Sequence, residues 1–292
     1  KFLRSEIEWV RSHPKARTCR NQGRLKRFFE VNAIAPPRRE SFMELVIPPA
    51  AALGNKVASY KHVALSFDDK PIFRDFTFAF EPGMRLGIIG RNGIGKTSML
   101  KLMTGELTPD AGTVAVADTV VFNYIDQGRE QLHDDLTVLD EIGEGNDHIF
   151  LGGEKITVWT YLKRFMFVDE RIKTRVGLLS GGERARLLLA KQLKRGGNFI
   201  ILDEPTNDLD LPTLRLLEEA LADYRGCVAV VSHDRYFLNR ICTGILSFDE
   251  VRDPEYSIGD YDYYYEMKAR CRTAAAAAVT TSTSAKPSSG DW

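Results

Sequence analysis

Residues 90–98 read GRNGIGKTS, and this stretch decides the fold class. It matches the pattern G-x-x-x-x-G-K-[ST], directly after the apolar run Leu86–Ile89 and at the start of a helical segment, KTSMLKLMTG. Glycines let backbone amides close around phosphate oxygens, and a helix start adds partial positive charge. The pattern predicts a phosphate-binding loop in which Lys96 reaches the β- and γ-phosphates of a nucleotide and Thr97 holds Mg²⁺. The alternative is a glycine-rich turn with an unrelated lysine, and the strand–loop–helix context argues against it.

The overall composition is that of an ordinary globular protein with one or two domains. The 292 residues are 43% hydrophobic and 27% charged, and 40 basic side chains balance 40 acidic ones. No apolar run approaches the ~18–20 residues that span a bilayer. The four cysteines are not at metal-ligand spacing, which favours reduced thiols. We therefore expect a cytoplasmic protein without a membrane span. Because the sequence does not begin with Met, we also expect a fragment or a processed product.

From about Val57, short apolar runs alternate with helical stretches. The runs VVFNYI, NFIILDE and CVAVVSH suit strands that are covered on both faces, whereas VASYKHVALSF and FTFAFE alternate as half-buried strands. Helical character is found between them in GGERARLLLAKQLKR and LPTLRLLEEALADY. This alternation predicts an α/β architecture with a mostly parallel sheet.

A pair of acids ends the apolar run FIILDE, residues 199–204. Phosphates bind at the carboxyl ends of strands in such sheets. Asp203 is therefore predicted to hold the Mg²⁺ shell, and Glu204 to orient and deprotonate an attacking water. For this motif alone, the alternative is a strand end with solvated acids.

A third motif, LLSGGERARLLLAK, narrows the class. Ser180, Gly181 and Gly182 stand just before a helix, where they form a second anion-binding N-terminus or, taken alone, a capped helix without a ligand. The apolar positions of that helix recur as Leu187, Leu188 and Ala190. Together the three motifs resemble the ATP-binding cassette (ABC) ATPases, whose Walker A, Walker B and signature motifs are similar to GRNGIGKTS, FIILDE and LSGGE. The resemblance covers about Val57 to Lys268.

The resemblance implies roles for residues that carry little signal alone. Gln127 in YIDQ is similar to the Q-loop glutamine, His233 in SHD to the switch histidine, and Phe67 to the aromatic that stacks on adenine. Taken singly, these would be a solvated glutamine, a structural histidine and a core aromatic. The D-loop is similar to Asn207, Asp208 and Asp210. The implied nucleotide-binding set is Phe67, Gly90, Asn92, Gly93, Gly95, Lys96, Thr97, Ser98, Ser180, Gly181, Gly182, Glu183 and Asp210. The implied catalytic set is Glu204, His233 and Gln127, and the implied Mg²⁺ set is Thr97, Gln127 and Asp203.

Further features resemble the ABC-F branch, whose members have two cassettes in one chain and no membrane domain. The signature ends in Glu183, EPTNDLD is typical of the branch, and VWTYLKRFMF resembles the Y-L-x-x-F-x-F of its Uup-type subgroup. The segment YSIGDYDYYYEMKAR is similar to the G-x-Y-x-x-Y end of those cassettes. The implied fold is α/β: a P-loop NTPase of the ABC type with a mixed sheet core, an antiparallel β subdomain and an α-helical signature subdomain, preceded by a basic helical linker.

The basic segment VRSHPKARTCRNQGRLKRF occupies residues 10–28. Its arginines at 17, 20, 24 and 27 fall along one side of a helix, and such a stripe favours a phosphate backbone. A solvated helical connector is the alternative. The segment resembles the end of the linker between ABC-F cassettes, whose partners are ribosomal RNA and tRNA. We therefore expect the linker end at 1–32, a proline-rich linker at 33–56, the cassette at 57–270 and a flexible Ala/Ser/Thr tail at 271–292, as the C-terminal half of a longer protein.

The resemblance implies an ATPase that acts on the ribosome, with ATP and Mg²⁺ bound and a second cassette as partner. That cassette comes from a missing N-terminal half or from a second copy of the chain. Three other classes stay open: a DNA-associated Uup-type ATPase, the ATP-binding subunit of an ABC transporter, and a scaffold without hydrolysis. The basic linker and Glu183 argue against the transporter subunit. The sequence after Arg270 has no heptad repeat of a coiled coil, which argues against the DNA-associated ATPase. The scaffold is disfavoured by four intact residues: Lys96, Asp203, Glu204 and His233.

Overall fold

The structure is a computed structural model, and it describes residue 47 and residues 52–67, 70–125, 131–151, 154–206, 209–249 and 253–270. The segments 1–32 and 271–292, expected as linker and tail, lie outside these residues, as does most of 33–56. Gln127, Asn207 and Asp208 also lie outside them. The domain boundaries at both ends therefore stay predictions.

Strands and helices alternate over most of the described chain. The strands are β1 (Ala58–Phe67), β2 (Lys70–Phe80), β3 (Arg85–Ile89), β4 (Ala111–Val116), β5 (Phe122–Ile125), β6 (His148–Leu151), β7 (Glu154–Thr157), β8 (Phe199–Asp203), β9 (Cys227–Val231), β10 (Gly244–Ser247) and β11 (Glu255–Ile258). The helices are α1 (Lys96–Met103), α2 (Val138–Gly143), α3 (Val158–Arg164), α4 (Asp169–Ile172), α5 (Gly181–Lys194), α6 (Leu211–Asp223), α7 (Arg235–Ile241) and α8 (261–270).

A six-stranded sheet forms the centre, in the order β11-β10-β3-β9-β8-β5. Its strands pair in parallel except for β11, which pairs antiparallel with β10. The prediction of a mostly parallel sheet is therefore confirmed. Every residue of β9 is buried, as are the first four residues of β8, which explains why both read as unbroken apolar runs. The order places the carboxyl ends of β3, β9 and β8 side by side at one edge.

A second, antiparallel sheet has the order β2-β1-β4. Burial alternates along β2, as a sheet with one face on the core requires. The buried face carries a row of aromatic rings, Phe73, Phe76, Phe78 and Phe80, that pack on one another and on the core. This sheet, α1 and one face of the central sheet share a hydrophobic cluster, which fixes the helix that follows the phosphate loop.

Helices α2 to α5 and the β6–β7 hairpin form the helical part of the domain. The Tyr161 hydroxyl donates to the Ala190 carbonyl across 2.7 Å, which ties α3 to α5. The buried face of α5 consists of Leu187, Leu189, Ala190, Gln192 and Leu193. Of the three apolar positions noted in the sequence, Leu187 and Ala190 are buried, whereas Leu188 is half-buried and lines a cleft. Successive residues of a helix are 100° apart around its axis. Positions 189 and 193 therefore lie on the same face of α5, and position 188 lies off that face.

Candidate nucleotide-binding and hydrolysis site

The phosphate loop connects β3 to α1, and its glycines have backbone angles that favour glycine. Gly93 has φ +77°, and Gly95, the N-cap of α1, has φ +110°. A Cβ at Gly95 would come within 2.2 Å of Ile72 Cγ2, so the loop lies directly against β2. A larger residue at Gly95 requires either the loop or Ile72 to move. The predicted strand–loop–helix arrangement is therefore present.

Lys96 points back under this loop and is almost fully buried, with 7% of its surface exposed. Its Nζ donates to the carbonyl oxygens of Gly90 and Arg91 across 2.6 and 3.1 Å, and to Asn92 Oδ1 across 3.4 Å. Burial lowers the pKa of the Lys96 ammonium, and the nearby carboxylates of Glu204 and Asp203 act to raise it. The loop therefore contains a cation that few water molecules can screen.

Asp203 ends β8 and faces the first turn of α1. The Thr97 hydroxyl donates to Asp203 Oδ2 across 3.3 Å, and the Tyr124 hydroxyl donates to the same oxygen across 3.2 Å. Hydroxyl and carboxylate oxygens are the ligands that Mg²⁺ prefers. Thr97 and Asp203 therefore fit a magnesium site beside the phosphate loop.

Glu204 has a left-handed backbone, with φ +51°, which is uncommon for a residue with a side chain. Its N–H donates to the Val231 carbonyl across 2.8 Å, so β9 holds the turn in place. Left-handed non-glycine residues cluster at active sites, where the surrounding structure enforces them. This backbone conformation directs Glu204 Oε1 to within 3.4 Å of His233 Nε2.

His233 follows β9 and completes the group. Its Nε2 lies 3.0 Å from Asn92 Oδ1 and 3.5 Å from Lys96 Nζ. Because an amide oxygen only accepts, the shorter contact favours an Nε2–H that donates to Asn92. The next residue, Asp234, caps α7 by accepting from the N–H groups of Tyr236 and Phe237. The histidine is therefore held between a strand end and a helix start.

The signature residues Ser180 to Glu183 form the N-terminus of α5. Ser180 accepts from the Glu183 N–H, and the Glu183 carboxylate accepts from the Ser180 N–H across 2.9 Å, which is a capping box. Gly181 and Gly182 form the first turn. Burial acts to raise the pKa of Glu183, yet hydrogen bonds from Ser180 and the charge of Arg171 leave it lowered. Outside the motif, Arg171 Nε lies 3.1 Å from Glu183 Oε1.

Asp210 connects the predicted D-loop to the signature helix. It is the N-cap of α6 and accepts from the Thr213 N–H across 3.0 Å. Arg186 of α5 donates to Asp210 Oδ2 across 2.7 Å and to Thr213 Oγ1 across 2.9 Å. Burial acts to raise the pKa of Asp210, but the bonds from Thr213 and the charge of Arg186 outweigh it, so the pKa is lowered.

Phe67, predicted to stack on adenine, is the last residue of β1 and is 44% exposed. It pairs with Lys70 across the β1–β2 turn. Lys70 and Ile72 line a cleft of about 630 Å³, whose other wall is the phosphate loop from Arg91 to Ile94. An exposed ring near such a cleft suits a base platform. Ser98 continues α1 after Thr97.

The sequence analysis passed over Tyr124, although it lies within the quoted motif YIDQ. It also missed the contact of Asn92 with His233. Both contacts join residues far apart in the chain, and only the order and register of the strands could have indicated them.

Comparisons with known proteins agree with this fold. Residues 73–207 match the family model described as "ABC transporter". The energy-dependent translational throttle protein EttA of Haemophilus influenzae is 43% identical over 250 residues, which are 86% of this chain and 45% of that protein. The ATP-binding protein Uup of Caulobacter vibrioides is 39% identical over 253 residues, 85% of this chain and 42% of that protein. The solved structure of cbiO1 from Clostridium perfringens, part of the ABC transporter complex cbiONQ, superposes with a TM-score of 0.56 at 18% identity, covering 75% of this chain and 94% of that one.

Fold and site together define a nucleotide-binding domain of the ATP-binding cassette class, as the sequence predicted. Residues 73–207 form an ABC-type domain, and the similarity of the chain to EttA and Uup confirms the resemblance to the ABC-F branch. The chain spans less than half the length of these two relatives. Within the described ranges, every helix is too short or too polar to cross a membrane.

Proposed function

We propose that this chain binds ATP with Mg²⁺ and hydrolyses it to ADP and phosphate. The observation that carries the proposal is the meeting of Lys96, Asn92, Glu204 and His233 at the carboxyl ends of β3, β8 and β9. His233 Nε2 lies within 3.5 Å of all three partners. A buried cation, a carboxylate and an imidazole next to a phosphate loop are the groups that phosphoryl transfer to water requires.

Binding uses the loop and the first turn of α1. Backbone amides of the loop surround the β- and γ-phosphates, and Lys96 exchanges its carbonyl partners for phosphate oxygens. Thr97 and Asp203 hold Mg²⁺ through oxygen atoms, with Gln127 as the further ligand that the family resemblance implies. When bound, Mg²⁺ neutralises charge on the phosphate oxygens. Phe67 carries the adenine ring by stacking, and Ser98, the next residue after Thr97 in α1, contributes to binding the phosphates.

Hydrolysis uses Glu204 as the general base. Glu204 accepts a proton from water, the water oxygen bonds to the γ-phosphorus, and the bond from that phosphorus to the bridging oxygen of ADP breaks. Lys96 stabilises the charge that develops on the phosphate oxygens. His233 orients Glu204 and the γ-phosphate, because it contacts both Glu204 and the loop residue Asn92.

The complete site needs a second cassette in this proposal. The family resemblance implies that the signature residues Ser180, Gly181, Gly182 and Glu183, with Asp210, face the ATP held by a partner cassette, and we assign them to it. The partner is a cassette elsewhere in a longer chain or a second copy of this one. The N-terminus of the partner's signature helix would then face the γ-phosphate and add to the stabilisation of the negative charge on its oxygens.

We further propose that the ATPase acts on the ribosome in the cytoplasm. The support is the 43% identity to a protein named a translational throttle, together with the basic segment at residues 10–28. Such a segment binds ribosomal RNA or tRNA by neutralising phosphates, so its binding weakens as salt rises.

The ATPase proposal is tested with Glu204→Gln, and with Glu219→Gln on the exposed face of α6 as a matched control. We expect Glu204→Gln to bind ATP with unchanged affinity and to lose at least 100-fold in hydrolysis, the usual scale for a general base. The Glu219 variant is expected to hydrolyse like the wild type. Unchanged turnover of the Glu204 variant removes it as the base.

The ribosomal proposal is tested by co-sedimentation of the full-length Glu204→Gln chain with ribosomes, with and without ATP. Pelleting that needs ATP and falls with salt supports it. A protein that binds ATP normally and stays in the supernatant contradicts it. The same variant, tested against duplex DNA and against membrane vesicles, then shows whether the DNA-associated or the transporter class applies.

A further inference from the structure

Tyr124 contacts the carboxylate that the proposed Mg²⁺ site uses. Its hydroxyl donates to Asp203 Oδ2 across 3.2 Å, next to the Thr97 hydroxyl, which donates to the same oxygen across 3.3 Å. Two hydroxyl donors on one carboxylate oxygen restrict the rotation of the carboxylate much more than one donor does. Thr97 is already assigned to the proposed Mg²⁺ site, whereas Tyr124 has no assigned role in the proposed reaction.

The sheet register explains why Tyr124 reaches Asp203. In the parallel pair β5–β8, Tyr124 lies opposite Ile201, and Asp203 stands two residues further toward the carboxyl end. Side chains two apart on a strand share a face, and strand side chains lean along the strand. Two residues correspond to about 6–7 Å, which the length of a tyrosine side chain covers. The ring is half-buried and packs against the core cluster, so it has little freedom to turn away.

We propose that Tyr124 is a positioning residue for magnesium: its hydroxyl fixes the Asp203 carboxylate in the orientation that serves the metal. The inference rests on the proposed ATPase function. Its physical basis is that hydrogen-bond donors behind a ligating carboxylate orient it, and that their loss weakens metal affinity or activity by about 10–100-fold. Phenylalanine at this position keeps the ring packing and removes only the donor.

The test measures how far Mg²⁺ strengthens nucleotide binding. The affinity of the full chain for a non-hydrolysable ATP analogue is measured by calorimetry with Mg²⁺ and again in EDTA, and the ratio of the two is the Mg²⁺ factor. We expect Tyr124→Phe to lower this factor about tenfold while affinity in EDTA stays within about twofold of the wild type. In hydrolysis, the free Mg²⁺ needed for half-maximal rate should rise by a similar ratio.

Tyr161→Phe is the matched control, because the Tyr161 hydroxyl is also hydrogen-bonded, to the Ala190 carbonyl in the helical part. Its Mg²⁺ factor should equal that of the wild type. An equal factor in Tyr124→Phe overturns the inference, and so does an equal loss of affinity with Mg²⁺ and in EDTA, since that indicates general damage. A wild type that binds the analogue equally with and without Mg²⁺ overturns it as well. A wild type that binds no nucleotide instead refutes the proposed function itself.

Discussion

A buried ion pair between α5 and α2 provides a quantitative test of how the signature helix is held. Lys191 Nζ lies 2.7 Å from Glu141 Oε1, with side-chain exposures of 12% and 1%. Glu141 Oε2 also accepts from the His133 N–H across 3.2 Å and lies 3.2 Å from His133 Nδ1. Lys191→Met keeps most of the side-chain volume and removes the charge, which leaves a buried carboxylate with weaker partners.

The expected loss follows from burial. Removing one partner of a buried pair costs about 3–5 kcal/mol, because the remaining charge stays desolvated. His133 retains two contacts with Glu141, so we expect about 2–3 kcal/mol in the free energy of unfolding for Lys191→Met. Replacing both partners, in Lys191→Met with Glu141→Gln, removes the buried charge and should recover at least half of that loss.

Lys194 on the same helix supplies the matched control. Its Nζ lies 2.6 Å from Glu144 Oε1, but Glu144 is 65% exposed, so water can solvate that carboxylate once the lysine is gone. Lys194 also donates to the Ile142 carbonyl. We expect Lys194→Met to cost about 1 kcal/mol or less. Urea unfolding followed by circular dichroism measures all variants. If Lys191→Met costs no more than Lys194→Met, or if the double variant is no more stable than the single one, the burial argument is wrong.

Two further predictions concern the loop and the D-loop aspartate. Gly95→Ala places a Cβ 2.2 Å from Ile72 Cγ2, whereas the Cβ in Gly93→Ala meets nothing within 4 Å. The cost of Gly93→Ala is then only the about 1–2 kcal/mol of strain that an alanine has in the left-handed conformation. Calorimetry with the ATP analogue should therefore show a much larger affinity loss for Gly95→Ala, and equal losses would contradict the geometry. The pKa of Asp210 is lowered, so its stabilisation is present above the unfolded pKa of about 3.9 and is lost as the pH falls through the lower folded value. Asp210→Asn should be less stable than the wild type at pH 7 and should lose less stability between pH 5 and pH 3; parallel urea-midpoint curves would disprove this.

Most of the proposed site could be predicted from the sequence because its chemistry depends on local patterns. The loop from Gly90 to Thr97 carries its own glycines and its own strand–helix context. The acids Asp203 and Glu204 follow a buried strand, and parallel strands place their carboxyl ends together. In the structure, Lys96 and Glu204 both lie close to His233, and the catalytic roles of these residues stay predictions.

The remaining features depend on neighbours that are distant in sequence. The contact of Tyr124 with Asp203 needs the register of β5 against β8, and no local pattern specifies it. The left-handed turn at Glu204 depends on a hydrogen bond to Val231 of another strand. Short elements such as α4 and the β6–β7 hairpin gain their stability from packing, because isolated segments of that length are marginal.

The position of β3 has a consequence for how the protein is made. This strand precedes both of its neighbours in the chain, since β9 and β10 flank it in the sheet. As the chain emerges during synthesis, β3 therefore presents two unpaired edges until Cys227–Val231 and Gly244–Ser247 have followed. Unpaired apolar edges promote aggregation, and pairing across long sequence separations is slow. The phosphate loop that follows β3, and the proposed nucleotide site with it, can therefore be completed only after β9 and β10 have been made.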